Sequence, residues 1–411
     1  MRPIRQRRAL AVLGLVAVGG LVLSGCGGSG SSGGSTGKSL RVLIGSSGDA
    51  ETTAVKAAVQ AWSDKSGVKA DVVAASDLNQ ELSQGFASGQ PADVFYVSAD
   101  AFAGYASNGS LLAYGDKLSN VDDFYPSLVD QFTFDGKFYC APKDFSTLAL
   151  VINTADWTEA GLTDADIPTT WDQLSSVAAK LTTNGRKGLV INGEYARVGA
   201  FMAQAGGSMV SADGTKATVD SDANVQALTY VQSLLKSGNA AYASGVGAGW
   251  GGEAFGKNLA AMTIEGNWIK GSLEADYPNI AYRVVELPAG PQGQGTLQFT
   301  NCWGIAADSS RTNDAVDLVG YLTATDQQTA FATAFGVMPS VKSAANGYRE
   351  AFPEMTAFLD SADFAQNVPN LKGASDVIAD FNSQLEGLAT GDPKAILTSV
   401  QKNMQDVVDN Q

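Results

Sequence analysis

The groups able to do chemistry in this chain are mostly carboxylates and indoles, because none of its 411 residues is histidine. That removes His general bases, His-activated nucleophiles and the commonest metal ligand. Beyond Cys26 only Cys140 and Cys302 remain, and two isolated cysteines cannot build a tetrahedral zinc site. No metal and no cofactor is expected. The groups that remain suit a ligand rich in hydroxyls. A sugar edge needs Asp, Asn, Glu or Arg, and its C–H face needs a flat ring with large area and few rotors. Asp100 directly follows a buried apolar run at residues 94–97, where a carboxylate has little other reason to stand. It reads as a ligand contact, with a helix N-cap as the alternative. Asp49 reads the same way, against a common Gly-Asp turn. Trp268 follows Gly266-Asn267; the glycine admits close backbone approach and the ring projects from a strand end. Trp250, inside a Gly-rich stretch, reads as a rim residue. Trp62 and Trp171 fall on helical stripes and belong to the core.

These residues need elements to hold them. Residues 40–45, 68–74 and 91–97 read as strands. Between them Val55, Ala58, Val59 and Trp62, then Leu78, Leu82 and Phe86, recur at helical spacing. Strand and helix in alternation imply a parallel sheet covered on both faces. Ligands of such sheets sit beyond the carboxyl ends of the strands, which brings residues 46–51 and 98–100 to one rim. A second, larger alternation follows, with strands at 148–153, 188–191, 260–264 and 280–287. Residues 300–307 then look like a late strand of the first sheet. The fold class expected is α/β, with two lobes joined by several crossings.

The net charge is −15. Such a surface repels nucleic acid and anionic lipid. The start is different. Arg2, Arg5, Arg7 and Arg8 precede an apolar run at residues 9–23, shorter than the roughly 20 residues a spanning helix needs. Residues 1–25 therefore read as a signal peptide. Leu23-Ser24-Gly25-Cys26 resembles the bacterial lipobox. The resemblance implies cleavage before Cys26, acylation of its thiol, and a flexible Gly/Ser tether over residues 26–37. The body would then be held by lipid at the extracellular face of the cell membrane, touching the membrane through that anchor alone.

Four stretches resemble the maltose-binding-protein branch of extracellular solute-binding proteins, which serve ATP-driven (ABC) importers. They are Pro91-Ala92-Asp93-Val94-Phe95 with Asp100–Ala106, Pro142-Lys143-Asp144 with Leu148–Asn153, Lys257–Trp268, and Val284–Gly290 leading to Trp303-Gly304-Ile305. The resemblance implies a periplasmic-binding-protein-like fold. Its first lobe would take residues 38–145 and 300–338, its second 146–299 and 339–411, with a sugar-sized cleft between them that closes by hinge motion. It places Asp49 and Asp100 at first-lobe sugar contacts and Trp268 at a second-lobe stacking position. Asp144 lies beside the hinge, replacing an acid that this family's type member carries where Ser146 stands here. Asn301 and Trp303 fall on the return crossing, and Tyr195 and Arg197 at a helix start facing the cleft; with Asp144 and Trp250 they are expected sugar contacts. Cys140 and Cys302 flank neighbouring crossings and are expected to form a disulfide, with two free thiols as the alternative. The function implied is a monomeric, non-enzymatic receptor that hands a sugar or oligosaccharide to the importer's permease subunits. Two alternatives stay open: another solute, such as a polyamine, amino acid or peptide, or a secreted glycoside hydrolase.

Overall fold

The computed structural model describes residues 39–411. Cys26, the leader at 1–25 and the tether at 26–37 lie outside the described residues. The chain opens with β1 (Leu40–Ile44), α1 (Asp49–Ser66), β2 (Ala70–Ala74), α2 (Leu78–Ala87), β3 (Val94–Ser98) and α3 (Ala99–Ser107). β1 pairs in parallel with both β2 and β3. α1 buries Val55, Ala58, Val59 and Trp62, one stripe at helical spacing, and Gly67 ends it at φ 74°. The Trp62 indole N–H donates to Asp317 at 2.7 Å, so a polar tip is satisfied at the edge of the core.

After α4 (Pro126–Gln131) and the small hairpin β4 (Thr133–Phe134) and β5 (Lys137–Phe138) comes β6 (Ala141–Asn153), buried along nearly its whole length. The second half holds α5 (Thr154–Glu159), α6 (Trp171–Leu181), β7 (Lys187–Ile191), α7 (Tyr195–Gln204), α8 (Asp222–Lys236), β8 (Ala240–Tyr242), α9 (Gly251–Gly256), β9 (Ala260–Gly266), α10 (Ile269–Asp276) and β10 (Tyr282–Val285). The chain then returns through β11 (Thr296–Ile305), α11 (Thr312–Leu322) and α12 (Thr325–Phe335). It finishes with α13 (Ala345–Ala351), α14 (Thr356–Asp360), β12 (Ala365–Asn367), α15 (Ala374–Leu385) and α16 (Pro393–Asp409).

The strands run in the order β2-β1-β3-β11-β6-β9-β7-β8, with β10 on β6 and β12 on β11. β6 and β11 are the shared strands. The first part of β6 pairs antiparallel with β11, and its last part with β9 and β10. β11 in turn pairs antiparallel with β3. Separate apolar cores form on either side of this seam. One gathers Leu40, Val42, Ile44 and Trp62 with Leu318 and Leu322 of α11. The other gathers Trp171, Leu189, Phe201, Leu228 and Met262 with Phe381 and Leu397 from the C-terminal helices. The architecture is thus a mixed α/β sheet flanked by helices, in two lobes that share their longest strands. Trp62 and Trp171 are both core, as their helical spacing requires. Cys140 and Cys302 are bonded to each other, with Cα atoms 5.5 Å apart, and lie buried among Phe95, Val97, Phe102 and Phe132.

Candidate functional site

A cleft of about 1190 Å³ opens between the lobes, slightly above the roughly 300–1,000 Å³ usual for small-ligand sites. Its first wall is made by two helix starts. Gly48 is the N-cap residue of α1 and Asp49 begins the helix. Ser98 is the N-cap residue of α3, so Asp100 belongs to the first helical turn and is not a cap. Both carboxylates line the cleft, and among the described residues neither has a hydrogen-bond or ion-pair partner. The helix dipole favours an anion at each position by roughly 0.3–1 kcal/mol, which helps to hold the two charges there unpaired.

The floor comes from an irregularity in the seam. Asn301 of β11 stands opposite Asp144, and Cys302 opposite Pro142, so Lys143 has no partner across the ladder. That extra residue is a β-bulge, which re-aims side chains beside a site. In a regular strand neighbours point to opposite faces; here Lys143 and Asp144 both line the cleft and form an ion pair. The Lys143 ammonium also reaches Glu51 Oε1 at 2.9 Å and lies 4.7 Å from the centre of the Tyr96 ring. Glu51 accepts from the Tyr96 hydroxyl at 3.0 Å and from the Ser47 N–H and hydroxyl at 2.7 Å each. Burial pushes Lys143 down, but the two carboxylates outweigh it and hold the ammonium above its ordinary range. Burial pushes Glu51 up, but Lys143 and the Ser47 bonds together hold it below the usual carboxylate range. Burial raises the Asp144 carboxyl more than Lys143 lowers it, so the charged forms are favoured at Lys143 and Glu51, with Asp144 the strained member of the trio.

The second wall is Trp268, 39% exposed. A Cβ on Gly266 would come within 2.2 Å of its indole, which is why glycine stands there. The indole N–H donates to Glu265 Oε2 at 3.1 Å, the Arg197 guanidinium lies 5.4 Å from the ring centre, and Phe299 packs edge-on at 5.8 Å. Arg197 is ion-paired with Glu265 and, at 2.8 Å, with Glu194. Burial raises the Glu265 carboxyl, more than Arg197 and the indole lower it. The ring is thus held from behind while its front faces the cleft. Phe335, Val337, Phe352 and Val368 extend the apolar lining, and Lys270 is paired with Glu274 near the mouth.

Asp49, Asp100, Asp144, Trp268 and Asn301 are thereby brought to one cleft. Four expected contacts are not, and each is corrected. Trp303 shares the face of Asn301 but lies deeper in the first lobe, 0% exposed and edge-on to Tyr96 at 4.6 Å. Tyr195 packs into the second core against Phe381, and only its backbone N–H is used, donating to Asn382 at 2.7 Å. Trp250 is the N-cap residue of α9, and its ring packs beside Gly252 in the cluster around Phe255 and Ile269. Arg197 is 7% exposed and sits behind Trp268, not in the lining. Lys143, Glu51, Phe299, Phe335 and Phe352 are lining residues that the sequence reading did not single out. Phe299 was findable, since it stands two residues from Asn301 and so shares its strand face. Lys143 stood in the sequence only as part of the Pro142-Lys143-Asp144 stretch, because nothing local announces a bulge. Among the described residues, no group of three or more His, Cys, Asp or Glu side chains could hold a metal ion, and no helix is long and apolar enough to cross a membrane.

A family model for bacterial extracellular solute-binding protein matches residues 57–359. The chain is 25% identical over 289 residues to the diacetylchitobiose binding protein of Streptomyces coelicolor, covering 67% of each. Its structure is similar to that of the cyclic alpha-maltosyl-1,6-maltose binding protein from Arthrobacter globiformis, with a TM-score of 0.80 at 22% identity, over 91% of this chain and 100% of that one. It is also similar to UgpB from Mycobacterium tuberculosis in complex with glycerophosphocholine, with a TM-score of 0.77 at 19% identity, over 91% and 99%.

Proposed function

This chain belongs to the bacterial extracellular solute-binding proteins, and from that premise we propose that it is a non-enzymatic receptor for a sugar or oligosaccharide. It is monomeric, is anchored by lipid at Cys26, and delivers its ligand to the permease of an ABC importer. The observation that carries the ligand class is the pairing of an exposed indole, Trp268, with unpaired carboxylates on the facing wall. The indole covers a sugar's C–H face, Asp49 and Asp100 take its hydroxyls, and Asn301 offers both a donor and an acceptor. The lobes, divided near residues 145, 299 and 338, bend about the shared strands, and a ligand touching both walls shifts the equilibrium toward the closed form. The relatives named for diacetylchitobiose and a cyclic maltosyl-maltose support this ligand class. The likeness to the glycerophosphocholine complex keeps a second class, the phosphodiesters, in the ligand screen.

A thermal-shift screen over sugars, amino acids, polyamines and phosphodiesters identifies the ligand class. A micromolar complex corresponds to about −8 kcal/mol. Trp268→Ala is expected to weaken the bound sugar at least about tenfold, or about 1.4 kcal/mol, with little change in melting temperature. Calorimetric binding that survives the substitution unchanged refutes the stacking assignment.

A further inference from the structure

The acidic and basic side chains around the cleft bear on the charge its occupant brings. Asp49, Glu51, Asp100, Asp144 and Glu274 line it with carboxylates, against two ammonium groups, Lys143 and Lys270. Both lysines already have carboxylate partners. Lys143 is held by Glu51 and Asp144, and Lys270 by Glu274. Asp49 and Asp100 have no counter-charge among the described residues. The Ser98 hydroxyl, also in the lining, is buried with no hydrogen-bond partner. This polar atom has nothing to bond until a ligand arrives.

When such a cleft closes, water leaves and each unpaired carboxylate loses its hydration. Hydroxyl donors restore hydrogen bonds but leave the negative excess enclosed. The helix dipoles at α1 and α3 offset only part of that loss. An anionic ligand would worsen it, since both lining ammonium groups already have carboxylate partners. We propose that the solute carries positive charge on a hydroxyl-rich frame, as an oligosaccharide of free-amine sugar units does, with Asp49 and Asp100 as the residues that select it. This rests on the sugar-receptor reading above. It adds to that reading a preference for cationic over neutral sugars. Trp268 serves both parts of such a ligand, since an aromatic face takes either a sugar's C–H surface or an ammonium group.

The test is calorimetry on the full chain with three gluco-oligosaccharide trimers of one linkage: free-amine, N-acetylated and all-hydroxyl. Spermidine serves as a cation without the polyol frame. The free-amine trimer is expected to bind at least about tenfold tighter than the other two, by an advantage that shrinks as salt screens it. The double variant Asp49→Asn, Asp100→Asn should lose that advantage while keeping the parent melting temperature. If the acetylated or all-hydroxyl trimer binds as tightly as the amine, the charge inference is overturned and the sugar reading stands. If spermidine binds and no trimer does, the sugar reading falls and this inference with it. Silence from all three trimers also overturns it. A variant that retains the full amine preference removes Asp49 and Asp100 from the selecting role.

Discussion

Trp268 and Trp303 show how differently one residue type can be used in neighbouring elements. Both lie near the seam, and both were read from the sequence as ligand contacts. What separates them is depth along the strand, which residue identity does not encode. Asn301 and Trp303 share a face, yet one step of the pleat takes the chain from the cleft into a packed layer beneath Tyr96. Trp303→Ala should therefore cost stability, about 3–5 kcal/mol as for other large aromatics in cores, measured as a shift in urea midpoint. A destabilisation no greater than that of an exposed substitution would return Trp303 to the ligand site. The carboxylates were more legible. Asp49 and Asp100 each follow a buried strand by a few residues, and strand ends are where this kind of sheet binds. Tyr195 misled because the start of α7 gives its backbone N–H to Asn382 and buries its ring in the second core.

At the scale of elements, the alternation of strands and helices was readable almost throughout, because fully buried strands and one-sided helices leave distinct periods. The bulge at Lys143 was not. It exists only as a mismatch between two strands far apart in sequence, and it turns a lysine and an aspartate toward the same space. Lys143→Met would leave Glu51 and Asp144 buried without their ammonium, a loss of about 3–5 kcal/mol near neutral pH. The pH dependence has a definite sign. In the parent, Glu51 is held below its ordinary value of 4.5, so its contribution is present above that pH and is lost as pH falls through the folded value. In the variant, burial without Lys143 raises Glu51 and raises Asp144 further above the already elevated position it has in the parent, so the folded state takes up protons first and gains stability on acidification. The stability gap between the two proteins should narrow from pH 7 toward 4.5. A gap that stays constant or widens in urea titrations refutes the trio as an electrostatic unit.

For the whole molecule, the chain's start and its body pose separate questions. If Cys26 carries the anchor, Cys26→Ala should move the protein from the membrane fraction to the medium with its ligand affinity intact. Retention on the membrane would refute the lipid proposal. Within the body, two strands carry both lobes, and the bond between Cys140 and Cys302 closes a separation of 162 residues, worth about 5 kcal/mol in the disputed chain-entropy account. This arrangement also sets an order in time. β3 gains its second neighbour only from Asn301–Ile305, and Cys140 its partner only from Cys302. A ribosome must release most of the chain before the first lobe can complete its sheet, and pairing across such distances is slow. The delay is useful to an exported protein, since a body that cannot close early can still be threaded through a translocation channel.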